Sequence, residues 1–198
     1  IMDYEGKTKL SLGMGCDIFG YSYPIFAGKT FYVDGAALFI RRRIFQEVGA
    51  FDQRYFIFNE DVDLGWRLRL YGHRIATVAG ARVYHKSGGV VTGGVLQQTK
   101  TGYTTSLWRR YLGERNEICT LLKNYGLITL FFIVPLYITI NVMEVMVFLT
   151  RRKIKVVNIY LRAWLWNLKN LRTTLGRRME IQRRRKISDR EIMQDMHR

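Results

Sequence analysis

Asn59-Glu60-Asp61-Val62-Asp63-Leu64-Gly65-Trp66-Arg67 places three carboxylates within four positions. Phe51, Tyr55, Phe56 and Phe58 precede the run. Acids packed so closely repel one another. At least one pKa should therefore rise, unless a cation or a helix N-terminus compensates. A carboxylate in that setting can act as a general base or a metal ligand. The plain structural alternative is a solvated, acidic helix start. The periodicity is ambiguous. Val62, Leu64, Trp66, Leu68 and Leu70 alternate as in a strand. Acids in front, Arg67 and Arg69 behind and Gly72 at the end describe a helix.

Around this run, residues 1 to about 105 are Gly-rich with short apolar stretches. Asp34-Gly35 is a turn signal between Tyr32-Val33 and the run Ala36 to Ile40. Arg42 to Val48 can form a short helix stopped by Gly49. Ile75 to Val78 and Arg82 to Tyr84 read as short strands broken at Gly80, and Ser87 to Gly94 as a flexible loop. The alternation implies an α/β fold. Residues 106–124 read as a connecting helix, with Leu107, Tyr111, Ile118, Leu121 and Leu122 apolar.

Residues 126–149 read GLITLFFIVPLYITINVMEVMVFL, with one charged side chain, Glu144. A helix of this length spans roughly 36 Å, enough for a hydrocarbon core of about 30 Å. Residues 125–149 are therefore expected to be membrane-embedded, either crossing or re-entrant, with Lys123 and Arg151-Arg152-Lys153 as interfacial anchors. Of the net charge of +16, residues 151–198 hold most, with 15 Lys and Arg against 4 Asp and Glu. Residues 150–198 are expected to form a basic, amphipathic tail on the membrane surface. Trp164 and Trp166 would lie near the interface, and Arg177-Arg178 and Arg183 to Lys186 would meet anionic lipid on the cytoplasmic face. Nucleic acid is set aside as a partner, because the positive charge flanks an apolar stretch that anionic lipid explains better.

Composition narrows the class further. A content of 48% hydrophobic and 14% aromatic residues excludes a disordered polyelectrolyte. Two Pro and two Cys exclude a collagen-like or disulfide-stapled scaffold. Cys16 and Cys119 form no CxxC and accompany only three His, so a zinc cluster is not expected. The opening residues read as the middle of a protein rather than a natural start, with no signal peptide.

The order Val33-Asp34-Gly35-Ala36, Gly49-Ala50-Phe51-Asp52, Tyr55-Phe56, Asn59 to Leu64, Trp66-Arg67, Gly72 and Val83-Tyr84-His85 resembles inverting glycosyltransferases of family 2, rhamnosyltransferase-like members above all. Arg115-Asn116, Leu121 to Tyr125, the apolar stretch and Ser188-Asp189 fit the same pattern. The resemblance selects the helical reading of residues 60–70.

The resemblance implies the C-terminal, acceptor-side half of a GT-A, Rossmann-like domain over residues 1–105, followed by membrane-associated helices. It makes Asp61 the general base for the acceptor hydroxyl and Glu60 its orienting neighbour. Asp34 and Gly35 form the turn at the sugar pocket. Trp66 and Arg67 lie near acceptor and diphosphate, and His85 can complete coordination of a divalent metal, Mg²⁺ or Mn²⁺. The implied partners are a nucleotide-sugar donor and a saccharide or lipid-linked acceptor in cell-surface polysaccharide or glycolipid synthesis. The family's donor half, with its Asp-x-Asp motif, has no counterpart in this sequence. Asp61-Val62-Asp63 has that spelling, but it follows aromatics and leads into Trp66-Arg67 instead of ending a hydrophobic strand. The chain alone is expected to be inactive. The competing expectation is a non-catalytic membrane module served by a separate donor-binding subunit.

Overall fold

In a computed structural model the chain is described over residues 1–78, 80–86, 97–99 and 102–196. The expected Ser87 to Gly94 loop lies outside these residues. In chain order the strands are β1 (Met2–Asp3), β2 (Gly13–Cys16), β3 (Ser22–Ile25), β4 (Tyr84–His85), β5 (Gln97–Thr99) and β6 (Gly102–Thr104). The helices are α1 (Arg42–Glu47), α2 (Glu60–Leu70), α3 (Leu107–Asn124), α4 (Leu127–Thr150), α5 (Ile154–Lys169), α6 (Leu171–Arg184) and α7 (Asp189–Asp195).

The acidic run opens a helix, α2. Glu60, Asp61 and Asp63 stand in its first turn and Arg67 and Arg69 in its last, each sign matching the dipole end it occupies. The alternation of its apolar residues is uninformative for a physical reason. Val62, Leu64, Trp66, Leu68 and Leu70 are all buried, so α2 has no polar face from which a period could be read. Gly65 lets Tyr32 pack directly against the α2 backbone. A Cβ there would stand 2.3 Å from Tyr32 Cβ and 3.0 Å from its Cα. Gly65→Ala should therefore cost about 1–3 kcal/mol by overpacking. An unchanged denaturant midpoint would contradict this contact.

The strands form three separate pairs: β1 parallel to β4, β2 antiparallel to β3, and β5 antiparallel to β6. Among the described residues no larger sheet forms. The expected strand over Ile75 to Val78 is an irregular stretch, and that over Arg82 to Tyr84 shortens to Tyr84–His85. The helix expected at 42–48 is present, and the chain turns at Gly49 with φ +84°.

Ser106 caps α3 by accepting from Arg109 N at 3.1 Å, as the sequence reading placed its start. α3 lies at the centre of the helical part and packs against α2, α4, α5 and α6. α4 is long and apolar enough to cross a membrane by length and composition. α5 returns alongside it, with Tyr160 Oη donating to Glu144 Oε2 at 2.7 Å and Trp164 Nε1 to Asn141 Oδ1 at 3.4 Å.

Within the stretch 150–198, expected as a surface tail, the part after α6 packs back onto the body. After α6, Lys186 N and Ile187 N both donate to Leu70 O at the end of α2. Ser188 and Glu191 then form a capping box, and α7 buries Ile192 and, just beyond it, Met196 in the core with Trp66, Tyr125 and Tyr137. Two of the arginines expected to meet lipid are engaged internally. Arg178 donates to the carbonyls of Leu122 and Tyr125, and Arg185 pairs with Asp189 at 2.5 Å. Arg178 satisfies acceptors that the return of the chain brings close, which charge counting along the sequence cannot see, whereas Arg185 pairs only four positions along the chain.

Candidate active site

The approach to α2 is strained. Phe56, Phe58 and Asn59 have φ of 63°, 68° and 64°, a left-handed region that costs non-glycine residues energy. α3 holds this stretch in place. Asn116 Nδ2 donates to the carbonyls of Tyr55, Ile57 and Phe58 at 3.1, 3.0 and 2.7 Å. Arg115 donates to those of Arg54 and Tyr55, both at 2.9 Å. Asn59 donates to the buried Glu117. Strain held by dedicated partners is a mark of a functional loop.

This loop delivers Glu60 and Asp61 to the start of α2. Asp61 Oδ2 accepts from Gly35 N at 3.1 Å, and Asp61 Oδ1 from Val62 N at 2.8 Å. Asp34 accepts from Ala36 N at 2.8 Å, fixing the turn that presents the Gly35 N–H. The structure thus brings Asp34, Gly35, Glu60 and Asp61 together. Burial raises the Asp61 carboxyl to about 6, partly opposed by the Gly35 N–H and reinforced by the charge of Asp34. Burial, then the charges of Asp61 and Asp34, raise Glu60 to about 7. Among the described residues Glu60 Oε2 is buried and has no hydrogen-bond partner. Two half-buried carboxyls with raised pKa values beside a free backbone approach can hold and accept a proton near neutral pH.

Trp66 and Arg67 are not at this opening. Trp66 is fully buried, edge-on to Phe31 and Tyr125 at 5.9 and 4.7 Å between ring centres. Arg67 pairs with Asp63 at 2.9 Å and donates to Val48 O. Both brace α2 from behind, so the structure corrects the expectation that they line the substrate pocket. The second carboxylate of Asp61-Val62-Asp63 likewise points inward. Asp63 meets Arg67, Lys123 at 3.0 Å and Asn124 at 2.9 Å. Lys123 also reaches Asp52 at 2.9 Å, and Asp52 reaches Arg54 at 2.6 Å. Burial would raise Asp63, but Arg67 and Lys123 hold it below its ordinary value. The triplet is therefore divided between the site and a buried ion network.

His85 sits in β4, in register with Asp3 of β1. Among the described residues no group of three His, Cys, Asp or Glu side chains is placed to hold a metal ion. Sequence reasoning noticed Arg115-Asn116 only as part of a pattern. The carbonyl-clamping role of Asn116 and the Glu117–Asn59 tie were missed, because their partners lie 58 to 61 positions away.

Residues 26–110 match the family model described as glycosyltransferase like family 2. An N-acetylglucosaminyl-diphospho-decaprenol L-rhamnosyltransferase of Mycobacterium tuberculosis is 46% identical over 54 residues, 27% of this chain and 18% of that protein. The O-antigen biosynthesis protein RfbC of Myxococcus xanthus is 27% identical over 85 residues, 43% of this chain and 7% of that protein. The matches thus take in less than a fifth of the length of either relative. No solved structure matches. The strained loop, the acid pair and the Asp34-Gly35 turn all fall inside the matched stretch, residues 26–110.

Proposed function

We propose that residues 1–105 are the acceptor side of a GT-A glycosyltransferase domain. It would transfer a sugar from a nucleotide-sugar to a saccharide or lipid-linked acceptor with inversion. The observation that carries this reading is the Asp61 carboxyl, held by the Gly35 N–H with its pKa raised to about 6. An acceptor hydroxyl must lose its proton as it attacks the anomeric carbon and the nucleotide diphosphate departs. Asp61 takes that proton. In-line attack from the face opposite the leaving group inverts the anomeric centre. Glu60, adjacent and raised to about 7, orients the acceptor or the base. The decaprenol in the name of one relative supports a lipid-linked acceptor, in cell-surface polysaccharide or glycolipid synthesis.

The divalent cation, Mg²⁺ or Mn²⁺, would take His85 as one ligand, and the described residues do not complete its set. The apolar α4 and the exposed basic residues of α5 and α6 support association with anionic membrane lipid on the cytoplasmic face.

The pH profile tests the base. Only ionised Asp61 can accept the proton, and its protonated form dominates below its pKa. In the intact enzyme, kcat/KM should therefore fall about tenfold per pH unit below about pH 6, with Glu60 shaping the approach to the plateau near 7. A profile that stays flat down to pH 4.5 would put the base elsewhere.

A further inference from the structure

α4 touches the rest of the protein along one continuous stripe: Leu130, Ile133, Tyr137, Asn141, Glu144 and Phe148, spaced by three and four residues. Leu130 and Ile133 join the core. Tyr137 meets the rings of Phe19 and Tyr21, each at 6.2 Å, and donates to Glu114 of α3 at 3.3 Å. Asn141 and Glu144 bond to α5. Phe148 lies 5.3 Å beneath the guanidinium of Arg110, near the start of α3. From Leu130 to Phe148 the stripe runs about 27 Å, close to the thickness of a hydrocarbon core.

α4 is thus not a free segment that could leave the body and cross. α3 runs beside it, carrying Arg110 and Glu114, and so does the Asp17 to Tyr21 loop. A transverse α4 would draw these groups into hydrocarbon, where each charged side chain costs about 2.5–3.5 kcal/mol or more. The opposite side of α4 is apolar and exposed: Phe131 is 74% exposed, Phe132 66% and Met143 63%. α5 and α6 also expose apolar side chains, Leu161, Leu165, Leu168 and Met179. Arg151, Arg152, Lys153, Lys155, Arg162 and Lys169 are exposed among and beside these residues. Apolar bulk flanked by cations complements an anionic headgroup layer over acyl chains.

We propose that α4 lies in the plane of the bilayer. Its outer face, with the apolar edges of α5 and α6, seats the enzyme on one leaflet without crossing. This rests on the membrane association proposed above and specifies its geometry.

The test uses the intact protein in sealed vesicles containing anionic lipid. Single cysteines replace Arg42, on the α/β part, and Arg152, at the α4–α5 turn. Native Cys16 and Cys119 are both buried. An impermeant maleimide should label both new positions from the same side. Labelling of Arg152→Cys only after detergent, with Arg42→Cys labelled freely, would overturn the proposal and leave membrane association standing. Fluorophores at Phe132→Cys and Thr139→Cys, seven residues apart and both exposed, should be quenched alike by shallow lipid quenchers, and a steep depth difference would overturn it too. Phe131→Ser/Phe132→Ser/Met143→Ser should weaken vesicle partitioning by about 10- to 100-fold with helix content unchanged. Unchanged partitioning would overturn the seating face. No partitioning by the parent protein would sink both this proposal and the membrane reading.

Discussion

Asp61→Asn in the intact enzyme is expected to lower kcat by about 10²–10⁴-fold while leaving nucleotide-sugar binding unchanged. The amide keeps the shape of the side chain and can still accept from Gly35 N, now at 3.1 Å from Asp61 Oδ2, but it cannot take a proton. The stability effect should run the other way. The folded protein holds Asp61 at about 6, above its ordinary value of 3.8. Its raised pKa favours the native state while the group is protonated, and that advantage is lost as pH rises through about 6. At pH 7 the ionised carboxyl is therefore a cost, and the neutral amide should stabilise the fold by about 1–2 kcal/mol. Loss of turnover together with a higher melting temperature would separate a sacrificed active-site charge from a structural one. Near-normal turnover would remove Asp61 from the role of base.

Lys123→Met should have the largest effect on stability. Lys123 is 1% exposed, bridges Asp52 and Asp63, and lies 4.4 Å from the centre of the Tyr55 ring. Its removal leaves buried carboxylates short of a partner, at a cost of about 3–5 kcal/mol. A domain of ordinary stability has about 5–15 kcal/mol in total. Denaturant unfolding should show a greatly reduced midpoint, or no folded baseline at all. Lys123→Met/Asp63→Asn should recover part of the loss, because one of the stranded charges is gone. A single variant within 1 kcal/mol of the parent would mean that the network does not support α2. The network also weakens in acid. Asp63 is held below its ordinary value, so its contribution is present above that value and is lost as pH falls through the lowered pKa.

Local signals carried the sequence reading where local physics decides. Gly49 and the charge order across 60–70 mark helix ends through neighbouring backbone groups, and those ends appear where expected. The length and apolarity of α4 needed no partner to be recognised. Long-range partners decided the rest. Trp66 and Arg67 resemble site residues in one dimension, but Phe31, Tyr125, Val48 and Asp63 enclose them. The basic tail looked uniformly lipid-facing until Leu70 accepted its backbone and the carbonyls of Leu122 and Tyr125 took Arg178. The acid pair was legible. The helix that steadies its loop was not, because Asn116 has no chemistry of its own until three carbonyls arrive beside it.

α3 is tied to the loop that delivers Asp61 and also packs against α4, α5 and α6. With the seating proposed above, such a helix is a ruler: it would set the height of the Asp61 carboxyl above the acyl chains, and a lipid-linked acceptor would be chosen by where its hydroxyl stands as well as by what surrounds it. Acceptors whose spacer is too short or too long would fail through misplacement, even with every contact to the sugar intact.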